Sequence, residues 1–163
     1  MTPGHPDLVA ALAAANPSTR LTAALAIGAN PRPDQGLVDI LVARCGIEPD
    51  FYVRDTLTWA LTRLPNELTL PRLVAELHSP VAQSRSQALH TLSKIKDSGA
   101  FPAITQALLR DSDDDVARSA WRAAVVLVPG EQRRELAEEL ATQLGRGGRD
   151  VQLSLSRALV ALG

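Results

Sequence analysis

The chain has 163 residues, of which 45% are hydrophobic and 21% charged, which suits one folded domain with a core and excludes a disordered chain. Aromatic residues make up only 3% while Ala and Leu dominate, so helices are favoured over β-sheets. The formal net charge of -1 excludes a molecule-wide attraction to nucleic acid or anionic lipid. Nucleic-acid binding would therefore need a local patch, and we do not expect it.

The start of the chain and its cysteine content bear on location. The first residues lack the basic side chains of a secretory signal, and no apolar run reaches the roughly 18 residues of a membrane span. We expect a soluble, cytoplasmic protein that does not enter a membrane. Cys45 follows an apolar run and is expected to be a buried core residue rather than a reactive thiol.

Two series of side chains recur at an interval of about 33 residues, within the range of helical repeats. The register positions of the first series are occupied by Arg20, Arg54, Arg85, Ala117 and Gln152. A small residue stands six places after each of them, at Ala26, Ala60, Thr91, Ala123 and Ala158. Upstream of each register position lies an apolar series with helical spacing, which begins at Leu8, Leu37, Leu73, Ile104 and Leu136.

Taken in chain order, these series predict five hairpins of two amphipathic helices each. Their bounds are 6 to 28, 34 to 64, 68 to 95, 100 to 127 and 131 to 162, within one domain of residues 1 to 163. Asn16-Pro17 and Ser79-Pro80 are expected to begin second helices as an N-cap followed by a first-turn proline. The remaining second helices are expected to be capped by Asp50, Asp113 and Asp150.

The segment of residues 50–64 resembles a known family. The second helix of a HEAT repeat usually opens with an aspartate, then Val-Arg, then small residues, as do Asp50, Val53, Arg54 and Ala60. Across its length the chain resembles HEAT-repeat proteins, and it is similar to stand-alone HEAT proteins of actinobacteria. The resemblance implies an all-α fold, a right-handed, armadillo-like α-solenoid of about five HEAT-like helical hairpins. It also implies that Arg20, Arg54 and Arg85 are structural, bridging to an acidic or carbonyl group of the next repeat, rather than a phosphate-binding row.

The exposed face of the second helices supplies the candidate binding residues. Counted from the register point, the residues at offsets −1, +3, +6 and +7 are expected to face the core. At 100° per residue, the residues at offsets +1, +5 and +8 then face away from it. This face normally lines the concave side of such a stack. Its candidate partner-binding residues are Asp55, Trp59, His90, Arg118, Arg122 and Arg157. Trp59 could instead pack between helices, and for Trp121, at the groove edge, burial is the favoured alternative.

No pattern in the sequence indicates a metal, a cofactor or a catalytic residue. His5, His78 and His90 do not show metal-ligand spacing. The acidic run of Asp111, Asp113, Asp114 and Asp115 lacks the glycine and distant glutamate of a calcium loop and suits helix capping better. The loop of residues 145–149 lacks the lysine of a P-loop and is interpreted as a flexible turn.

The sequence therefore predicts a non-catalytic scaffold or adaptor that binds a protein partner on the concave second-helix face. The alternative is a HEAT-like DNA-binding protein or an alkylpurine DNA glycosylase-like enzyme, whose residue types are echoed by Asp55, Trp59, Trp121 and Arg122. HEAT-like bilin lyases are a third class, without support from individual residues. Apolar residues near the C-terminus predict either a last helix that tucks in or an end that meets a partner or a second copy.

Overall fold

A computed structural model describes residues 5–163, which form ten α-helices and two short 3₁₀ segments without a β-strand. The helices are α1 His5–Ala11, α2 Pro17–Ala29, α3 Gln35–Cys45, α4 Phe51–Thr62, α5 Asn66–Glu76, α6 Ala82–Ile95, α7 Gln106–Leu109, α8 Asp114–Leu127, α9 Arg133–Ala141 and α10 Arg149–Leu162. No helix in this part of the chain is both long and apolar enough to cross a membrane. Residues 1–4, which carried the expectation of no secretory signal, lie outside the described residues.

The helices pair into successive hairpins whose second members stack in a row. Each first helix packs against its own second helix, while α2, α4, α6, α8 and α10 contact one another in that order. A hairpin cannot bury its apolar face alone, so contact with the neighbouring hairpin completes the core. The predicted all-α solenoid of helical hairpins is confirmed.

Three of the predicted caps hold the start of a second helix. Asn16 accepts a hydrogen bond from the Ser18 N–H at 2.8 Å and precedes the first-turn Pro17. Asp50 and Asp113 each accept two backbone N–H bonds at 2.9 and 3.1 Å, at the starts of α4 and α8. Short polar side chains satisfy N–H groups that a helix start leaves without partners.

Two other predicted caps are wrong. Helix α6 begins at Ala82 with Val81 at the N-cap, so Pro80 is not in its first turn. Ser79 instead accepts the Val81 N–H at 3.1 Å and closes a turn before the helix. Asp150 lies inside the first turn of α10, where its charge complements the helix dipole, and Gly148 occupies the N-cap.

The first half of the fourth hairpin also differs from the prediction. In place of one helix from residue 100, the chain forms a 3₁₀ segment, Ser98–Ala103, followed by the four-residue α7. Pro102 explains the break, because proline lacks an N–H and disfavours the α conformation of the preceding residue. Helix α7 then begins after Thr105, which is its N-cap.

The core lies between the two layers of helices and includes Cys45. Burial raises the pKa of the Cys45 thiol to about 12, so the thiol stays neutral and unreactive. Two hydroxyl pairs cross between second helices: Thr58 with Thr91 at 2.9 Å, and Ser86 with Ser119 at 2.8 Å. These hydrogen bonds satisfy polar groups where α6 meets α4 and α8.

The apolar residues of α10 divide between the core and the surface. Leu155 and Ala158 are buried, whereas Leu153 is 46% and Val160 79% exposed. The helix therefore tucks in along one face and leaves two large apolar side chains outside. Self-association through these exposed residues stays a prediction.

Candidate partner-binding site

Arg20 shows how the repeat arginines are held. Its Nη1 donates to the carbonyl oxygens of Ala14 and Ala15, at 2.8 and 2.9 Å, in the loop of its own hairpin. Its Nε and Nη2 donate to the carboxylate of Glu48 in the next hairpin, at 2.8 to 3.1 Å. Arg20 is only 5% exposed and Glu48 is fully buried, so this ion pair lies inside the stack.

The Glu48 carboxylate is kept charged by its neighbours. Burial raises the pKa of Glu48, but hydrogen bonds from Arg20, from the Asp50 N–H and from Arg44 act in the other direction and bring the pKa below its usual range. The charged pair is therefore well satisfied, as a buried pair must be to persist.

Arg85 repeats the arrangement one step further along. Its Nη1 donates to the Ser79 carbonyl at 2.9 Å, and its Nε and Nη2 donate to the two carboxylate oxygens of Asp111, both at 3.2 Å. Asp111 belongs to the following hairpin. In both Arg20 and Arg85, Nη1 thus binds a carbonyl in the loop of its own hairpin, and Nε and Nη2 bind a carboxylate of the next repeat.

Arg54 departs from this arrangement. Its Nη1 donates to the carbonyls of Glu48 and Pro49, at 2.8 and 2.9 Å, but both lie in its own hairpin. No carboxylate in the described chain pairs with Arg54, and its Nε is buried without a hydrogen-bond partner. The expectation that Arg54 bridges to the next repeat is therefore wrong.

The sequence explains the missing partner. The acid follows the arginine by 28 residues in the Arg20 pair and by 26 in the Arg85 pair. The corresponding positions after Arg54 hold Pro80, Val81 and Ala82, whose side chains have no acceptor for a guanidinium.

Arg54 lines an open space that we call the central groove. It consists of two cavities of about 410 and 130 Å³ among α4, α6 and α8, which share six lining residues. The residues lining one or both cavities are Phe51, Arg54, Asp55, Ala82, Gln83, Ser86, Gln87, His90, Asp113, Asp115, Arg118, Ser119 and Arg122. Four of the six candidate residues, Asp55, His90, Arg118 and Arg122, are brought together here.

A second space, the C-terminal groove, adjoins the first between α8 and α10. It has a volume of about 340 Å³ and contains the candidate Arg157 together with Arg118 and Arg122. Arg122 and Arg157 are exposed and make no hydrogen bond or ion pair with the described residues. Arg118 is partly engaged, because its Nε donates to Ser154 at 2.9 Å and its Nη1 lies 3.8 Å from the Asp115 carboxylate.

His90 and Asp55 face each other across the central groove. His90 Nε2 lies 3.6 Å from Asp55 Oδ1. Burial lowers the pKa of His90, the nearby Asp55 carboxylate opposes that effect, and the positive charges of Lys94 and Arg122 add to it. The net pKa lies below the usual value, which leaves the imidazole mostly neutral at physiological pH.

Trp59 lies outside these grooves, between α4 and α2. It is 39% exposed, and its six-membered ring packs against the buried Gly28. The Gly28 carbonyl also accepts a hydrogen bond from Arg63 Nε at 3.1 Å. One part of the ring therefore packs between helices, as the packing alternative held, while the rest faces solvent away from the two grooves; a partner-binding role for Trp59 stays a prediction.

Trp121 is not at the groove edge. Its side chain is 1% exposed, and its Nε1 donates to the Leu109 carbonyl at 2.8 Å. The indole anchors α8 to the end of α7 and is one of the largest buried side chains. This position removes one tryptophan from the residue types that suggested a glycosylase.

The acidic run before α8 is largely occupied by structural bonds. Asp111 pairs with Arg85 and Asp113 caps α8, while Asp114 accepts bonds from Arg146 at 3.0 and 3.2 Å. Arg146 also donates to the Asp111 carbonyl, which ties the loop of residues 145–149 to the preceding repeat. Among the side chains that the structure describes, residues 6–163, no cluster of three or more His, Cys, Asp or Glu could hold a metal ion.

Reasoning from the sequence missed Phe51, Arg54 and Gln87 as residues of the central groove. The repeat spacing places Arg54 in the structural series with Arg20 and Arg85. The sequence does distinguish it from them, because no acidic residue follows Arg54 at the spacing seen in the other two pairs. Gln87 gave no signal, because its two-residue offset from Arg85 falls between the predicted core and exposed positions.

Comparison with solved structures shows similarity to repeat proteins. An engineered protein is 22% identical, with a TM-score of 0.52 over 95% of this chain and 77% of its own. A designed armadillo repeat protein is 19% identical, with a TM-score of 0.51 over 96% and 81%. The complex of CpcE and CpcF of phycocyanin lyase from Nostoc sp. PCC7120 gives a chain that is 22% identical, with a TM-score of 0.57 over 99% and 66%. At these identities the likeness shows the fold alone.

The search of curated proteins found no significant match. A family model described as HEAT repeats matches residues 38–125, more than half of the chain. This match covers α4, α6 and most of α8, the helices that form the central groove. The chain belongs to the HEAT-repeat family.

Proposed function

We propose that this chain is a non-catalytic scaffold that binds a protein partner along the central and C-terminal grooves. Arg122 carries the proposal, because it lines all three cavities of the two grooves and is exposed without a bond to the described residues. Arginine is among the side chains that most often dominate binding energy at interfaces. Arg122 lies on α8, which packs between α6 and α10, and this packing provides a rigid support.

The mixture of charges in the central groove favours a polypeptide over a nucleic acid. Asp55, Asp113 and Asp115 line the same groove as the arginines and would repel a phosphate backbone. A protein segment can place acidic and basic side chains against opposite charges in turn. The grooves also run across three successive second helices and α10, which suits an extended segment more than a compact small molecule.

We further propose that residues 1–163 act as one domain, that the protein works in the cytoplasm, and that binding needs no cofactor. The likeness to a chain of phycocyanin lyase lies in the fold alone and assigns no catalysis to this chain.

Site-specific photocrosslinking tests the proposal. A crosslinking amino acid replaces Arg122 in one variant and Ala75, exposed on the first-helix layer, in another, and both are irradiated in the native lysate. We expect the same protein to be captured repeatedly from position 122 and not from position 75. The captured protein is then purified, and its affinity is measured for wild type and for Arg122→Glu.

Arg134→Glu is the matched control, because Arg134 is exposed on α9 and the charge change is the same. We expect Arg122→Glu to weaken the affinity by at least about tenfold and Arg134→Glu to leave it within about twofold. Equal effects of the two variants, or salt-dependent binding of duplex DNA in place of a protein, would overturn the proposal.

A further inference from the structure

We infer that the free edge of the Arg54 guanidinium binds a carboxylate of the partner, so that the central groove selects an acidic protein segment. This inference rests on the proposed function and specifies the chemistry that the groove recognises. It assigns a binding role to a residue whose counterparts, Arg20 and Arg85, are structural.

The comparison with those counterparts supplies the first argument. All three arginines donate Nη1 to a carbonyl six residues earlier, which fixes each guanidinium in the same relation to its own helix start. Arg20 and Arg85 then present Nε and Nη2 to a carboxylate of the next repeat. The same edge of Arg54 has no carboxylate among the described residues. A position built to hold a paired guanidinium is thus left with an unpaired one.

The location of this edge supplies the second argument. Arg54 lines both cavities of the central groove, and its Nε is buried without a protein partner. A buried donor that lacks an acceptor is unfavourable, and a charged one especially so. A carboxylate entering the groove would bind Nη2, and a small shift of the side chain would bring Nε to it as well, in the bidentate geometry that arginine prefers.

Gln87 supplies the third argument and narrows the ligand. Its Oε1 is also buried without a hydrogen-bond partner, and Gln87 lines the same two cavities as Arg54. This oxygen requires a hydrogen-bond donor, which a carboxylate ion alone cannot offer. A peptide segment offers both groups, the carboxylate of Glu or Asp and the N–H of its backbone.

The charges around the site favour a carboxylate over a phosphate group. Arg118 and Arg122 add positive charge to the groove, whereas Asp113 and Asp115 limit the total negative charge that it accepts. A single carboxylate carries one negative charge and matches the groups that Arg20 and Arg85 already bind. The occupant is therefore an extended acidic segment of a partner protein, with one Glu or Asp at Arg54.

The test uses a library of short peptides with a fixed central glutamate and random flanking residues, selected on the wild-type protein. The best binder is compared with its Glu→Gln form on wild type, Arg54→Lys and Arg85→Lys. Lysine keeps the charge but loses the two-nitrogen edge. Arg85→Lys is the matched control, because Arg85 has the same structural bond and is already paired with Asp111.

We expect the Glu→Gln change in the peptide to weaken binding by about ten- to a hundredfold on wild type and on Arg85→Lys. On Arg54→Lys the same change should have little effect, because the bidentate pair is already lost. In the wild-type protein, addition of the glutamate peptide should shift the NMR signal of the Arg54 Nε–H group, and acetate or inorganic phosphate alone should not. This measurement does not depend on whether the Arg54 variant folds.

The inference would be overturned if the Glu→Gln change in the peptide weakened binding equally on Arg54→Lys and Arg85→Lys. It would also be overturned if the NMR signal of Arg54 did not shift, or if the library gave no binder that depends on its glutamate. Displacement of the peptide by phosphate ion or duplex DNA at comparable concentration would overturn it as well. If Arg122→Glu still releases the captured partner in those cases, the proposed function stands and only the acidic specificity fails. If Arg122→Glu has no effect either, both fail.

Discussion

Gly28 on α2 and Trp59 on α4 are in direct contact, and no larger residue would fit at position 28. A β-carbon there would lie 2.3 Å from Cζ3 and 2.6 Å from Cε3 of the indole ring. Glycine is a poor helix former, so its place inside α2 is explained by this packing rather than by helix stability. The contact joins the first two members of the second-helix row.

Gly28→Ala should therefore destabilise the fold. The new methyl group must push the indole outward or separate α2 from α4, at a cost of about 1–3 kcal/mol in the free energy of unfolding. In a Trp59→Ala background the clash is absent, and the better helix propensity of alanine should stabilise the protein by up to about 1 kcal/mol. Urea denaturation of the four proteins in this cycle measures both effects.

Gly36→Ala is the control for this cycle. A β-carbon at position 36 would meet the Asp34 side chain at 3.5 Å, an ordinary contact, so we expect no loss of stability. If Gly28→Ala is as harmless as Gly36→Ala, the close packing of Trp59 is wrong.

Glu48→Ala should be among the most damaging single changes. It removes the carboxylate that pairs with Arg20 and leaves a guanidinium with 6% side-chain exposure uncompensated, which typically costs about 3–5 kcal/mol. Glu138→Ala on α9 removes a looser arginine–glutamate pair, 3.6 Å apart, whose side chains are 93% and 71% exposed, and should change stability by about 0.5 kcal/mol or less. Similar midpoints for both variants in urea would contradict a buried junction at Arg20.

The pKa of His90 gives a prediction about pH. Because burial lowers this pKa below 6.5, the unfolded chain takes up the proton first as the pH falls. The stability contributed by neutral His90 is complete above about pH 6.5 and is lost as the pH falls through the folded pKa. Arg122→Ala should raise the pKa of His90, and Asp55→Asn should lower it further.

NMR titration of the His90 imidazole, assigned with His90→Asn, measures these changes. A wild-type pKa at or above 6.5 would contradict the partly buried, cation-facing position of the ring. Opposite shifts in the two variants would place the ring between the charges of α4 and α8, whereas no shift in either would remove it from the groove.

The two tryptophans should respond differently to replacement by phenylalanine. Trp121→Phe deletes the donor to Leu109 and leaves that buried carbonyl unpaired, which should cost about 1–3 kcal/mol. Trp59→Phe retains an aromatic ring at a partly exposed position where the indole N–H donates to no described residue, and should cost about 1 kcal/mol or less. Chemical denaturation monitored by circular dichroism measures the loss of stability in each variant. A larger loss in Trp59→Phe than in Trp121→Phe would contradict the structural role given to Trp121.

The regular parts of the fold were predictable because they depend on local chemistry and on spacing. Asp50 and Asp113 cap their helices through bonds two and three residues ahead, which the sequence shows directly. Pro102 broke the expected helix of the fourth hairpin, a local effect that the apolar spacing concealed. Ser79 and Asp150 are also good capping residue types, but the neighbouring turns placed the helix starts elsewhere.

The candidate site was less predictable because it depends on which side chains already have partners. The spacing on the second helices brought Asp55, His90, Arg118 and Arg122 into one groove. The same spacing could not show that Arg20 pairs with Glu48 while Arg54 lacks such a partner, because the pairing depends on a contact between neighbouring repeats. Trp121 is buried because α7 ends above it, which helix periodicity alone does not reveal.

The two hydroxyl pairs have a mechanical consequence for the stack. Apolar surfaces keep much of their contact when one helix slides along another, but Thr58 and Thr91, or Ser86 and Ser119, lose their hydrogen bond over a slide of one helical turn, about 5.4 Å. The buried Thr58–Thr91 pair would then leave hydroxyl groups without partners. Helix α6 is thereby fixed along its length against both neighbours, and the central part of the stack resists shear more strongly than its apolar contacts alone would allow.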